Sequence, residues 1–191
     1  MKLSRLVGLV ASVLPYPFII VSMLLSPWFN MYEDALSDLG NLNNGLAARI
    51  YDSGLTLGGV FVILFSLMLM REKRGKHFVT VGTLISFIGI ALTLIGLFPE
   101  NAGEIHGIIS TFFFGLIVVS MIIYGYLSWP LGSPITGLLA TLFGIVAASV
   151  WFIKWPWSGI AIQETFTSLL ASFWLLQVSV LLLRDRDAPK V

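Results

Sequence analysis

Six apolar runs, each close to the length that crosses a lipid bilayer, leave this chain few ways to fold. They cover approximately Leu6 to Trp28, Ile50 to Met70, Phe78 to Phe98, His106 to Leu127, Ile135 to Phe152 and Glu164 to Leu183. A hydrocarbon core about 30 Å thick takes roughly 20 residues of helix, and continuous helix is how a single run satisfies its backbone where water is absent. Of 191 residues, 57% are hydrophobic and 11% charged, whereas about a quarter are charged in soluble domains. The runs leave no room for a separate soluble domain. The expected fold class is all-α: one domain over residues 1–191, a polytopic bundle of six transmembrane helices.

Charge placement orients the bundle. With the N-terminus inside, nine of the eleven cations (Lys2, Arg5, Arg71, Lys73, Arg74, Lys76, Arg184, Arg186 and Lys190) fall on the cytoplasmic side, leaving Arg49 and Lys154 outside. This satisfies the positive-inside rule and makes both termini cytoplasmic, as in a multi-pass protein of the cell membrane. Seven of the ten carboxylates (Glu33, Asp34, Asp38, Asp52, Glu100, Glu104 and Glu164) fall outside; Glu72, Asp185 and Asp187 stay inside. The first 28 residues resemble a secretory signal, but the run is long and the charges fit an even helix count only if it is retained. The absence of cysteine excludes disulfides and thiolate chemistry. A net charge of +1 gives no footprint for nucleic acid.

Most connecting segments have plain readings. The basic inner loop Arg71 to His77 sets topology and touches anionic headgroups, and Ser128 to Pro134 is a Pro/Gly turn. Trp155 and Trp157 sit where indole rings anchor to the membrane surface. Within the runs, Gly82, Ser86, Gly89, Thr93 and Gly96 share one helix face. Gly137, Thr141, Gly144 and Ala148 share another, and Gly54 and Gly58 form a G-x-x-x-G pair. Tight packing inside the bundle accounts for these stripes better than a homo-oligomer seam. Pro15 and Pro17 should kink the first helix, with a gap toward lipid as one outcome. No internal repeat supports an inverted-repeat transporter.

Polar chemistry gathers at the outer helix ends. The loop after the first helix, about twenty residues long, exceeds ordinary connections and points to an ordered element. Asp34 and Asp38 would share a face if its first half were helical. Asp52 lies in the first turn of the second helix, and Glu104 and His106 open the fourth, with Ser110 one turn below His106. Glu164, Ser168, Ser172 and Ser179 trace a polar stripe that should face the bundle interior, whereas Gln177 has no obvious partner. Asp52, Glu104 and Glu164 admit two readings, stabilisation of helix N-termini by negative charge or membership of a site. His106 is either a satisfied interface residue or a general base or metal ligand. Arg49 either pairs with Asp52 or Asp38 or holds a lipid phosphate.

The string ALSDLGN, followed by Arg49, a helix and a basic inner loop, resembles the ISDxG signature of the Frag/DRAM/Sfk family of six-helix membrane proteins. Gly82, Ser86 and Gly89 in the third helix, His106 and Gly107 opening the fourth, and Gln163 and Glu164 opening the sixth fall in the matching order. The chain is most similar to a prokaryotic group, domain of unknown function family 998, whose landmarks are SDLG, an FP ending the third helix (Phe98, Pro99) and the following His. The Pro-Glu that often follows ISDxG in the eukaryotic relatives is replaced by Asn43, Asn44 and Gly45. The resemblance implies a connection to lipids, since those relatives are linked to glycosylphosphatidylinositol-anchor remodelling, lipid asymmetry and autophagy. Ser37, Asp38, Gly40, His106 and Glu164 are the positions that match the pattern.

The leading functional expectation is a lipid-handling protein whose outer cavity binds a headgroup through Arg49 and the polar cluster of Ser37, Gly40, Asp52 and Glu104. Its enzymatic form is a lipid hydrolase or transferase with His106 as general base, Asp38 or Glu164 orienting it or holding a cation, and Ser110 or Ser37 as accessory hydroxyl. With two histidines on opposite sides and no cysteine, zinc fits poorly. A hard divalent cation held by carboxylates fits better. The alternative is a non-enzymatic scaffold or lipid-binding regulator. A transporter ranks last, because charged groups are missing from the midplane.

Overall fold

The computed structural model describes residues 3–72, 75–129 and 134–182. Lys2, Lys73, Arg74, the turn residues 130–133, Leu183 and the charged residues Arg184, Asp185, Arg186, Asp187 and Lys190 lie outside them. The described residues are helical, without strands, and form a bundle. The first run makes α1 (Leu3–Val13) and α2 (Pro15–Leu24). The others make α3 (Leu46–Glu72), α4 (Lys76–Leu97), α5 (Glu104–Ser128), α6 (Pro134–Phe152) and α7 (Ala161–Gln177), the last continued by wider π-helical turns over Val178–Leu182. Five spans, counting α1 and α2 as one, are long and apolar enough to cross a membrane. The sixth, α7, is a 17-residue helix before its π continuation. It carries Glu164, Ser168 and Ser172 among its apolar residues.

The helices close a ring in chain order, with α1 and α2 against α3, α3 against α4, α4 against α5, α5 against α6, α6 against α7, and α7 back against α1. The glycine stripes explain how closely neighbours approach. The α4 stripe meets α3: Gly89 lies on the backbone of Gly59 and Ile63, Gly96 on that of Asp52 and Thr56, and Ser86 shares a 2.6 Å hydrogen bond with Ser66. Gly54 and Gly58 receive Phe18 and Pro15 of α2, and Gly137 and Gly144 of α6 meet Gly125, Met121 and Ile122 of α5. All three stripes are filled by the chain's own helices, the intramolecular packing expected of small residues in a bundle.

The proline break falls at Leu14, with Pro15 opening α2 in the first-turn position where its missing N–H costs nothing. The Pro15 ring seats on Gly58, and the bend borders a cavity of about 80 Å³ also lined by buried Ile85, Ile117 and Trp174. Tyr16 of the bent span reaches across to Ser172 of α7 at 2.7 Å. Gln177 also finds a partner, since its amide donates to the Thr136 carbonyl at 3.1 Å.

At one end the ring is covered by the segment between α2 and α3. Its first half is a series of turns rather than a helix, so Asp34 and Asp38 do not share a helical face. Asp34 accepts the Asn30 N–H and Asp38 the Ala35 N–H, both at 2.8 Å. Each carboxylate closes its own turn. Two 3-10 turns follow, Leu36–Gly40 and Leu42–Asn44, and the segment is tied to the α6–α7 connection by Gly159 N–H to the Tyr32 carbonyl and by Ile160 and Ala161 N–H to that of Asp34. Gly159 has to be glycine there, because a Cβ would collide with the Asp34 backbone. Trp155 and Trp157 stack at 4.7 Å, and Trp157 packs edge-on against Tyr32. The tryptophans therefore join two connections.

Candidate functional site

The helices that carry the polar cluster, α3 and α5, begin in the same way. Leu42–Asn44 ends at Gly45 with φ +60° and ψ −113°, and Glu100–Ala102 ends at Gly103 with φ +60° and ψ −119°. That region of conformation favours glycine. The two turns hold each other: the Asn41 amide donates to Glu100 at 2.5 Å, the Leu42 N–H to the Asn101 side chain at 2.5 Å, and the Asn101 amide to Asn41 at 3.1 Å. This fixes where α5 starts, and so places His106.

His106 is buried, with 6% of its surface exposed. Its Nδ1 lies 2.7 Å from the Phe98 carbonyl, which the end of α4 and the following Pro99 leave free. A carbonyl only accepts, so Nδ1 carries the proton and donates. The ring is thereby held in place through Nδ1, and Nε2 is buried without a hydrogen-bond partner among the described residues. A polar ring nitrogen withheld from water and unused by the protein is costly.

His106 lines a cavity of about 550 Å³ together with Ser37, Ser110, Thr111 and Glu164 at its polar end and Phe114, Gly115, Val118, Val119, Ala148 and Phe152 along its length. The size falls in the ordinary range for small-ligand sites. The cavity exists because α5 and α6, pinned through Gly125, Gly137 and Gly144, separate beyond that contact. Its back wall is Trp151, which packs on Phe114 at 5.0 Å and donates to Thr167 at 3.1 Å.

Glu164, 5% exposed, borders the cavity but is already engaged. It accepts the Leu36 N–H at 2.5 Å, and the Ser37 N–H is directed at it. It therefore pins the SDLG turn over the bundle. The other residues of that turn divide the work. Ser37 lines the cavity, Asp38 closes the turn, Leu39 is fully buried, and Gly40 lies so close to Asp52 and the Tyr51 ring that a Cβ would stand 2.6 Å from an Asp52 carboxylate oxygen. Burial pushes the Asp38 carboxyl above its ordinary range against the opposing Ala35 hydrogen bond, with Glu100 and Asp34 adding repulsion and His106 easing it.

The structure therefore brings Ser37, His106, Ser110 and Glu164 to one cavity and leaves Asp38, Gly40 and Asp52 beneath or beside the turn that roofs it. Glu104 is exposed at the first turn of α5, where a carboxylate suits the helix dipole. Arg49 is exposed on α3 and does not line the cavity. The carboxylates are spread over separate hydrogen bonds, and no group of three or more potential metal ligands converges among the described residues. Sequence reasoning named Phe98 as a landmark but missed that its carbonyl orients His106, and it placed Ala148 on a packing face without marking the cavity wall it forms with Trp151 and Phe152.

No curated protein and no solved structure matches the chain. The match found is to a family. Residues 9–181, nearly the whole bundle with its SDLG turn, His106 and Glu164, match the family described as protein of unknown function (DUF998), and the chain belongs to that family.

Proposed function

We propose that this is a lipid-handling membrane protein that takes a lipid from the outer leaflet into the cavity between α5 and α6, polar end against His106. The observation that carries the reading is the buried, unpartnered Nε2 of His106 at the polar end of an otherwise apolar cavity. Such a cavity matches the two halves of an amphiphile, with hydrogen-bonding groups at one end and hydrocarbon at the other. The acidic end of the bundle is assigned to the outside, with both termini cytoplasmic, by the positive-inside rule.

The test is lipid mass spectrometry on protein purified from native-like membranes, comparing wild type with a folded His106→Ala variant. Wild type should retain a lipid that the variant loses; equal lipid content in both would overturn the reading. A catalytic extension, hydrolysis or transfer on that lipid, is favoured by the hold on His106, since an imidazole oriented through Nδ1 with a free Nε2 is placed for proton transfer. Ser37, Ser110 and Thr111 are hydroxyl-bearing residues of the same cavity. Incubation with a lipid extract separates the two: products from wild type alone mean an enzyme, and retained lipid without turnover means a binding protein or regulator.

A further inference from the structure

Two helical glycines stand apart from the rest. Gly59, Gly89, Gly96, Gly125 and Gly137 are each crowded by a neighbouring helix, but a Cβ at Gly107 or Gly115 of α5 would meet nothing within 4 Å. Glycine inside a helix costs roughly 1 kcal/mol relative to alanine, and at these two positions no contact within the chain requires it. With Thr111 between them they recur every four residues, forming one track down α5 that is continuous with the wall of the cavity containing His106.

The track is apolar along its length, as a hydrocarbon chain requires, with Phe114, Val118, Val119, Ala148 and Phe152 lining it beside Gly115. The polar end is equally selective. Ser37, His106, Ser110, Thr111 and Glu164 offer hydroxyls and acceptors, and no lysine or arginine lines the cavity. A phosphate placed there would face a carboxylate without a counter-cation, and an ammonium would be desolvated beside a carboxylate already engaged by the Leu36 N–H. An uncharged hydroxyl hydrogen-bonds to Nε2 at no such cost.

We infer that the ligand of this cavity is a lipid with an uncharged, hydroxyl-bearing head, a hydrocarbon chain lying on the Gly107–Gly115 track and its hydroxyl hydrogen-bonded to His106. This rests on the lipid-binding reading above and narrows it to a chemical class. The test measures binding of 1-oleoylglycerol and of the lysophosphatidate with the same chain to the full-length protein in nanodiscs. Wild type should bind oleoylglycerol at least about tenfold more tightly, the cost of an unpaired buried charge or acceptor being of that order or larger. Gly115→Leu, which fills the track, should lose at least about tenfold in oleoylglycerol binding while remaining as thermally stable as wild type, because a Cβ at that position meets nothing within 4 Å. Equal binding of the two lipids would overturn the headgroup assignment alone. Undiminished oleoylglycerol binding by Gly115→Leu, or a dimer that this substitution dissolves, would overturn the chain seat. No binding of either lipid by wild type, with none co-purifying, would overturn the parent reading as well.

Discussion

At the scale of single residues, the roof of the cavity hangs on Glu164. Replacing it with alanine strands the buried Leu36 N–H, which should cost about 1–3 kcal/mol, whereas Glu164→Gln keeps an acceptor for that N–H and should cost less. Thermal unfolding in detergent, with hydrogen exchange across residues 36–40, measures both. Asp38 gives a second prediction. Its carboxyl lies above the ordinary value of 3.8 because it is partly buried, so its contribution to stability is full below that value and declines as pH rises through the higher folded value. Asp38→Asn keeps the acceptor for Ala35 and removes the charge. Its Tm should therefore fall less than that of wild type as pH is raised from about 4 to 7; parallel curves would mean the Asp38 charge is not strained. The sequence showed these residue types at one end of the bundle but not their tasks. Carboxylate, histidine and serine spacing is the same whether the carboxylate orients the imidazole or, as here, pins a backbone turn, because backbone N–H and C=O partners leave no mark in side-chain patterns.

At the scale of helices, legibility followed hydrophobic length. Each apolar run became a helix, with ends extended by polar residues such as Glu104 and Lys76 that a hydropathy criterion excludes. The first run instead stopped early, at Leu24, where Ser26 and Pro27 end the apolar periodicity. The glycine faces were equally readable as packing surfaces, but their partners were not, since a small residue looks alike in sequence whether a helix or open space lies opposite. The structure separates the two cases, and substitutions should too. Gly59→Leu drives a side chain into the Gly89 carbonyl and the Thr93 backbone and should destabilise by about 1–3 kcal/mol or more. Gly107→Ala, in a helix with nothing opposite, should stabilise by roughly 0.5–1 kcal/mol. Denaturation of the two variants in one detergent is the comparison, and a loss of stability from Gly107→Ala would show that α5 is packed more closely there than the structure has it.

At the scale of the whole molecule, the bundle has two chemically distinct ends. Arg5, Arg71 and Lys76 mark one, while the SDLG turn, His106 and the linked connections mark the other. Which end faces out decides which leaflet supplies the ligand. A chain without cysteine lets single thiols report this directly. Asn43 is exposed in the second 3-10 turn, and Lys76 is exposed at the start of α4 at the opposite end. With positive charge retained inside, Asn43→Cys should react with a membrane-impermeant maleimide in intact cells, and Lys76→Cys only after permeabilisation. The reverse pattern would place the cavity mouth in the cytoplasmic leaflet. His106, the glycine track and the fold would stand unchanged, but the lipid would have to come from the inner face, where anionic headgroups are abundant. A site without cationic side chains would then have to select against the lipids that surround it.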